Sequence, residues 1–336
     1  MDELDVGIAE AAGLGVVVVD GQAAVRQLDG QNLVLWAQAP QLEIRLESAT
    51  PRSLRLEVRN CMPDAEAQIG GLTLAASSKP RATWCVYNLD VPAGESIVHV
   101  AAPDWQLEAR YRFADMGDIQ TAMGSVHEVF EAISAVPDLR FVMCTGDVVE
   151  RGEIREYNLF QEKLMALDIP FYSTIGNHEL TKSILRWNSR FGRYSVHFRF
   201  KGVDFSYVDS ANASIDPILL ETLERWLEAG RDRVHIFGTH YPFMDPVGSR
   251  NAGFGSRNEA NKILAKLAKG NVDLTLYGHI HSLYKFENAD IPAYISGGGG
   301  ALPETFDGID RHFLIVEVDP LENRVVSVQE SRVRTP

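Results

Sequence analysis

The sequence has 336 residues, of which 45% are hydrophobic and 23% are charged, and its net charge is −14 at pH 7. This length suits one large domain or two medium ones, and the composition is typical of a soluble globular protein. The acidic balance argues against broad nucleic-acid binding, but it permits a phosphorylated substrate where metal ions reverse the local potential.

The cysteines and the N-terminal residues bear on the cellular compartment of the protein. Three cysteines are too few for a disulfide framework, although Cys61 and Cys85 could pair. Met1–Asp5 is acidic, and the apolar stretch Gly15–Val19 is too short for the core of a signal peptide. No apolar run reaches the length of a membrane span. We therefore expect a cytoplasmic protein, while a secreted chain already trimmed of its signal would look the same.

Short apolar segments separated by turn residues fill residues 13–108. Leu42–Leu46 and Leu54–Val58 alternate apolar and polar residues, which predicts strands with one buried face. No helical periodicity interrupts these segments. We predict a β-rich N-terminal domain over residues 1–108, built as a small antiparallel sandwich or sheet.

From Tyr111 onward the pattern alternates between strands and helices. Apolar residues recur at helical spacing in four segments: Ser125–Ala135, Glu156–Leu167, Ile218–Ala229 and Glu259–Ala268. Ser125 stands where an N-cap is expected, and Gly270 is the expected end of the last helix. The alternation predicts an α/β domain over residues 109–336, with a two-layer β core flanked by helices.

Four polar motifs in this second domain each follow an apolar run that reads as a buried strand. The motifs are Gly146–Gly152, Gly176–Glu179, His240 within Gly238–Pro242, and Tyr277–His281. Because side chains at the carboxyl ends of neighbouring strands converge in one crevice, we expect these motifs to form one site. Asp, Asn and His supply the oxygen and nitrogen donors that divalent transition metals prefer.

This ordered set of motifs resembles the calcineurin-like metallophosphoesterase superfamily over roughly residues 109–320. The resemblance implies a four-layer α-β-β-α sandwich and a centre of two divalent or trivalent metal ions, which would be manganese, iron or zinc. It also implies a hydrolase of phosphate monoesters or diesters that attacks with a metal-activated hydroxide. The partner would be a phosphorylated small molecule or a phosphodiester, and the oligomeric state is left open.

The family's metal ligands carry over onto individual residues of this chain. The Asp of the family's Gly-Asp motif bridges the two metals, and here it is Asp147. Asn177, His240 and His279 match the ligands of the second metal. His281, the second histidine of Gly-His-x-His, matches a ligand of the first metal.

Two residues compete to be the remaining carboxylate of the first metal. Gly117–Gln120 matches the family's Gly-Asp-x-His with Gln in place of His, which favours Asp118. Asp115–Gly117 instead matches the Asp-x-Gly of the purple acid phosphatase branch, which would make Asp115 the ligand. That branch has a Tyr three positions after the bridging Asp, where this chain has Glu150. Both registers lose a histidine ligand, so we expect the first metal to bind more weakly.

Three residues would serve catalysis if the resemblance holds. His178 sits over the leaving group in the family, and an imidazole with a pKa of about 6.5 suits proton donation. Glu150 stands where phosphoprotein-phosphatase-like motifs have the Asp that orients this histidine. Arg151 matches their phosphate-binding Arg, whose guanidinium fits two phosphate oxygens, although a surface ion pair is an equal alternative.

Two further segments bear on the site, and one other class of function stays open. Gly297–Gly300 is expected to pass close under the metals, and the loop Asp245–Asn258 to border the pocket. The alternative function is a non-catalytic or weakly active binding or scaffold protein on a phosphoesterase fold. The feature that supports it is the impaired first metal site, which lacks the family's histidine.

Overall fold

The computed structural model describes residues 5–248, 252–305 and 309–333. The chain divides into two compact units. The first contains the chain up to Gln106 together with two later segments, Asp168–Tyr172 and Ile184–Tyr194, and the second contains the rest. The sequence pattern gave no sign that these two segments belong with the N-terminal strands.

The first unit is built from strands. Their bounds are β1 (Ile8–Ala11), β2 (Leu14–Val18), β3 (Ala23–Leu28), β4 (Asn32–Ala37), β5 (Gln41–Ser48), β6 (Arg52–Arg59), β7 (Glu66–Ile69), β8 (Leu72–Leu74), β9 (Ser78–Arg81), β10 (Trp84–Val91) and β11 (Gly94–Ala101). They form two sheets, in the orders β1-β2-β5-β11-β7-β8 and β3-β4-β6-β10-β9. The predicted β-rich character of this region is confirmed.

Both strands with clean alternation bury their apolar residues, although Glu57 of β6 is buried as well. Leu42, Ile44 and Leu46 of β5 are buried, while Arg45 between them is exposed. One pairing differs from the predicted antiparallel arrangement, because β4 and β6 run parallel. The chain leaves β4, forms β5 in the other sheet and only then returns as β6, and such a crossover permits parallel pairing.

The rest of the chain alternates strands with helices. The strands are β12 (Tyr111–Met116), β13 (Leu139–Cys144), β14 (Phe171–Ser173), β15 (Val196–Phe200), β16 (Val203–Val208), β17 (His235–Thr239), β18 (Leu274–Tyr277), β19 (Leu283–Asn288), β20 (Ile291–Ser296), β21 (His312–Asp319) and β22 (Arg324–Arg332). The helices are α1 (Val126–Ser134), α2 (Ile154–Lys163), α3 (Leu185–Asn188), α4 (Pro217–Gly230) and α5 (Arg257–Lys269).

The helix ends follow local chemistry, with one departure from the sequence expectation. Ser125 precedes α1, but its hydroxyl donates to the carbonyl of Ala122 instead of capping the helix. Helix α5 ends at Gly270, as the sequence predicted. No helix in the described ranges is long and apolar enough to cross a bilayer.

Two mixed sheets form the centre of the second unit, in the orders β14-β13-β12-β21-β22 and β15-β16-β17-β18-β20-β19. Aromatic rings join their facing sides, with Phe205 of β16 lying 5.1 Å from Phe113 of β12 and 5.4 Å from Phe141 of β13, between ring centroids. Leu227 of α4 and Leu267 of α5 share an apolar cluster with the second sheet. The buried face of α1 includes Val129, Phe130 and Ile133. This is the predicted four-layer α-β-β-α sandwich.

Candidate metal centre and active site

The loops that carry the predicted ligands follow β12, β13, β14, β17 and β18, and they meet at one edge of the second unit. The main-chain N–H of Asp118 donates to the carbonyl of Gly146 at 3.1 Å. The N–H of Gly278 donates to the carbonyl of His240 at 3.1 Å. The N–H of His178 donates to Oδ1 of Asp147 at 2.9 Å. Together with the N–H of His279, which donates to Oδ2 of Asp118 at 2.9 Å, these bonds connect the four motifs.

Three predicted ligands adopt a left-handed backbone conformation, with φ angles of 62° at Asp118, 55° at Asp147 and 67° at His279. Non-glycine residues rarely adopt this conformation, and it costs energy that the surrounding structure must offset. Each of the three lies where the chain turns away after a strand. The turn aims the side chain into the site instead of along the sheet.

Four predicted ligands of the second metal converge on one point. Nε2 of His240 lies 3.0 Å from Oδ1 of Asn177, 3.3 Å from Oδ2 of Asp147 and 3.2 Å from Nδ1 of His279. Donor atoms of Asp147, His240 and His279 all lie within 4.8 Å of one another. The structure therefore brings this predicted set together.

His240 is fully buried, and a main-chain carbonyl orients its ring. Its Nδ1 lies 2.9 Å from the carbonyl of Thr145, so Nδ1 carries the proton and Nε2 faces the site. Burial alone would lower the pKa of His240, but the carboxylate of Asp147 outweighs it and raises the pKa to about 9. Burial alone would raise the pKa of Asp147. The imidazoles of His240 and His178 outweigh burial and lower this pKa below its usual range.

A second group of donors lies beside the first. Oδ1 of Asp118 lies 3.5 Å from Nε2 of His281, and its Oδ2 accepts the main-chain N–H of His279 at 2.9 Å. Nδ1 of His281 donates to the carbonyl of Leu302 at 2.7 Å, which leaves Nε2 facing Asp118. Burial alone would lower the pKa of His281, but Asp118 raises it above its usual value.

Asp115, the alternative first-metal residue, lies elsewhere in the fold. It is part of β12, it is fully buried, and its Oδ1 accepts the hydroxyl of Tyr207 at 2.7 Å. Burial raises its pKa well above the usual range for a carboxyl group. Asp118 contacts His279 and His281, whereas Asp115 is bonded to Tyr207, so the geometry favours the Gly-Asp-x-Gln register.

Gln120 is a candidate ligand that sequence reasoning missed. Its side-chain nitrogen lies 2.7 Å from Oδ2 of Asp147 and 3.3 Å from Nε2 of His281. The amide thus occupies the place where the family's histidine would stand. Because the oxygen and nitrogen of an amide exchange places on rotation, the same side chain can offer an oxygen donor there. The signal for this role was its position in Gly-Asp-x-Gln.

Glu179 is a second residue whose role the sequence did not reveal. Its fully buried carboxylate accepts three main-chain N–H groups, from Gly176 at 2.7 Å, Asp147 at 3.0 Å and Val149 at 3.1 Å. Burial and the nearby charge of Asp147 raise its pKa to about 8, although the N–H bonds favour the ionised form. Glu179 therefore joins the loop of Asp147 to the loop of Asn177. Its place directly after Asn-His in the same motif was the available signal.

His178 stands beside the donors with its ring partly exposed. Its Nδ1 lies 2.7 Å from the main-chain carbonyl of Glu150 but 3.6 Å from the Glu150 carboxylate, which is too far for a hydrogen bond. Its Nε2 lies 4.0 Å from Oδ2 of Asp147. The carbonyl, and not the carboxylate named from the sequence, thus orients the ring. Arg151 is exposed, and its main-chain N–H donates to Glu156.

The glycine segment Gly297–Gly300 passes directly beneath these loops, as the sequence predicted. The N–H of Gly299 donates to the carbonyl of Gly117 at 2.7 Å, and a Cβ on Gly299 would lie 2.5 Å from that same oxygen. A Cβ on Gly297 would lie 2.2 Å from the carbonyl oxygen of Ile280. Of the loop 245–258, residues 249–251 lie outside the described part of the chain.

The donor chemistry of this edge fits bound metal ions. Asp147, His240 and His279 present one oxygen and two nitrogen donors in a compact group. Oδ1 of Asp118 is buried, and no hydrogen bond reaches it from the described residues. A buried carboxylate oxygen is costly unless a hydrogen bond or a cation satisfies it.

Just over half of the chain matches a known protein family. A family profile described as calcineurin-like phosphoesterase matches residues 111–283. A probable glycerophosphodiester phosphodiesterase of Arcobacter nitrofigilis is 26% identical over 158 residues, which cover 44% of this chain and 57% of that relative. A probable cyclic nucleotide phosphodiesterase of Xenorhabdus bovienii is 22% identical over 181 residues, 51% of this chain and 72% of that protein. The chain thus spans little more than half the length of the first relative.

Solved structures share the fold. A purple acid phosphatase from yellow lupin (Lupinus luteus) seeds superposes with a TM-score of 0.57 and 12% identity, covering 87% of this chain and 72% of that one. The structure of PhoD superposes with a TM-score of 0.51 and 11% identity, covering 91% and 84%. The family profile spans just over half of this chain and includes every predicted site residue. The protein therefore belongs to the calcineurin-like phosphoesterases, a family of hydrolases that act on phosphate esters.

Proposed function

We propose that this protein is a metal-dependent phosphoesterase with two metal positions at the edge described above. The observation that carries the proposal is the convergence of Asp147, Asn177 and His279 on Nε2 of His240, from which their donor atoms lie 3.3, 3.0 and 3.2 Å away, respectively. Such a group of unlike donors would hold a divalent ion of the transition series. Bound ions would supply positive charge for phosphate oxygens and lower the pKa of an attacking water.

The first position would be held by Asp118, His281 and Asp147, with Gln120 in place of the family's histidine. An amide oxygen is a weaker donor toward manganese, iron or zinc than an imidazole nitrogen. This substitution is the reason to expect weaker binding there. It does not remove the position, because Gln120 lies against both Asp147 and His281.

The chain's own residues would then divide the chemistry. His178 would donate a proton to the departing oxygen, since its ring is oriented by the Glu150 carbonyl and Nε2 is free to face a substrate. Arg151 is exposed on the loop after Asp147, and its guanidinium would bind phosphate oxygens. Glu179 would keep the Asp147 and Asn177 loops in register, since its carboxylate bonds to both.

For the substrate class we propose a phosphodiester. The support is that two relatives, found in different bacteria, are both named as probable phosphodiesterases. Hydrolysis of bis(4-nitrophenyl) phosphate and of 4-nitrophenyl phosphate, each with and without Mn²⁺, tests the proposal when combined with elemental analysis for metals. A metal-dependent preference for the diester is expected. Metal-free protein without turnover on either ester would refute it.

The competing proposal is a binding or scaffold protein on the same fold. The observation that favours it is the Gln120 amide in the first-metal position. Against it stands the otherwise complete set of donors. If the protein bound one equivalent of metal tightly and hydrolysed neither ester, the scaffold function would be preferred.

A further inference from the structure

The loop that carries Asn177 and His178 is bracketed by two segments of the other unit. Residues 173–183 belong to the second unit, whereas Asp168–Tyr172 before them and Ile184–Tyr194 after them belong to the first. Tyr172 is five positions before Asn177, and Ile184 is six positions after His178. Both ends of the loop therefore start from segments that pack with the N-terminal strands.

The segment before the loop is held by the side chain of Asn60, which follows β6. Its Nδ2 donates to the carbonyls of Phe171 and Ala37, each at 2.8 Å. Its Oδ1 accepts the N–H of Phe171 at 2.8 Å. The side chain is buried, and two of these three hydrogen bonds are to Phe171, the first residue of β14. Removal of this side chain would leave buried main-chain groups unpaired.

The segment after the loop is held by Arg26 of β3. Its Nε donates to the carbonyl of Arg190 at 2.7 Å, and its Nη2 donates to the same oxygen. The guanidinium carbon lies 4.1 Å from the centre of the Trp36 ring. The rings of Trp36 and Phe191 meet edge to face with centroids 5.7 Å apart. Cation–π and aromatic contacts thus reinforce the hydrogen bonds.

We infer that Asn60 and Arg26 are positioning residues for Asn177 and His178, and that they act through the continuous chain. A short loop has few conformations when both its ends are fixed, and more when either end is released. Displacement of a reacting group by about 1 Å can cost about 100-fold in rate. This inference rests on the proposed function, because Asn177 and His178 belong to the proposed site.

The first experiment does not depend on activity. Asn60 has a φ angle of 59°, so Asn60→Gly removes the side chain without adding backbone strain. Hydrogen exchange followed by mass spectrometry should show faster exchange in residues 173–183 of this variant, with unchanged exchange in residues 278–281. Unchanged exchange in residues 173–183 would overturn the inference, whatever reaction the protein catalyses.

The second experiment measures turnover. In Asn60→Gly we expect kcat on an alkyl phosphate ester to fall about 10- to 100-fold, with a smaller fall on a nitrophenyl ester whose departure needs no proton. Arg26→Gln releases the other end of the loop, so it should also change the ratio of kcat on the alkyl ester to kcat on the nitrophenyl ester. This variant takes the place of Asn60→Gly if Asn60→Gly does not fold. Val98→Ala truncates a buried residue of β11 and serves as the control for lost stability in the first unit.

The two experiments separate this inference from the proposed function. A wild-type protein that hydrolyses neither ester would refute the proposed function and leave the exchange experiment valid. If Asn60→Gly and Val98→Ala lowered Tm equally and changed the ratio of the two kcat values equally, Asn60 would have only a structural role. A changed ratio in Asn60→Gly and Arg26→Gln, but not in Val98→Ala, is the expected result.

Discussion

The substitution His178→Ala isolates proton donation from metal binding. The ring of His178 makes one hydrogen bond, to the carbonyl of Glu150, and lies 4.0 Å from the nearest oxygen of Asp147. The bond from this loop to Oδ1 of Asp147 comes instead from the main-chain N–H of His178, which an alanine retains. We therefore expect His178→Ala to keep the full metal content of the protein.

The size of the effect depends on the leaving group. A positioned general acid is worth about 10²- to 10⁴-fold, which corresponds to about 3–5 kcal/mol of transition-state stabilisation. The ring of His178 is 26% exposed, so water has partial access to the same place and can protonate the leaving oxygen less effectively. We expect a loss of about 100-fold on an alkyl ester, the low end of that range, and a loss below about 10-fold on a nitrophenyl ester.

The assay compares kcat for a methyl and a 4-nitrophenyl ester of the same phosphate, at saturating Mn²⁺ and with metal content measured on the same samples. His127→Ala is the matched control, because His127 is a half-buried histidine of α1. Glu150→Gln should change either rate less than about 3-fold, since the main-chain carbonyl remains as the acceptor and the carboxylate, 3.6 Å from Nδ1 of His178, makes no hydrogen bond to the ring.

Three results would each refute part of this reasoning. Equal losses on both esters would mean that His178 does not protonate the leaving group. Loss of metal from His178→Ala would mean that the imidazole binds an ion or holds Asp147 in place. A large effect of Glu150→Gln would return the orienting role to the carboxylate.

The remaining predictions concern the metal positions and their support. His240→Ala should lower both metal content and turnover, and full retention of both would contradict its assignment. In titrations of apoprotein, Asp118→Asn should abolish the weaker of two binding steps while Asp115→Asn preserves it, and the reverse outcome would select the other register. Gln120→His should tighten that weaker step by about 10-fold, whereas no change would show that this position binds no ion. Glu179→Gln should lower the free energy of unfolding by about 1–3 kcal/mol in denaturant titrations, because an amide cannot accept all three N–H bonds; an unchanged midpoint would count against its role.

Local motifs were sufficient to find most of the site. His240, His279 and His281 could be found because each stands beside a glycine or within a short motif after an apolar run, and strand ends of an α/β sheet meet at one edge. Asp118 was ambiguous from sequence, because the alternative Asp115 is only three residues away and both lie near the end of the same apolar stretch. Only the turn at Asp118, with its φ angle of 62°, directs one carboxylate toward His281 and leaves the other in the strand.

Long-range relations could not be read from periodicity. Ile184–Tyr194 belongs to the first unit because of contacts such as the hydrogen bond from Arg26 to Arg190. These two residues are 164 positions apart in the sequence. The parallel pairing of β4 with β6 depends on β5 joining the other sheet, which alternation alone does not reveal. The contact of His178 with the main-chain carbonyl of Glu150 could not be predicted, because a sequence motif indicates side chains and not main-chain acceptors.

The late segments of the first unit also constrain how the chain can fold during synthesis. The N-terminal strands are complete at Gln106, but Ile184–Tyr194 emerges from the ribosome 88 residues later, since 194 − 106 = 88. At about 5–20 residues per second this is a delay of about 4–18 s. Until Phe171 has been synthesised, Asn60 lacks the carbonyl to which it donates, and until Phe191 has been synthesised, the ring of Trp36 lacks this aromatic contact. We therefore expect these surfaces of the nascent first unit to bind chaperones until Tyr194 has been synthesised.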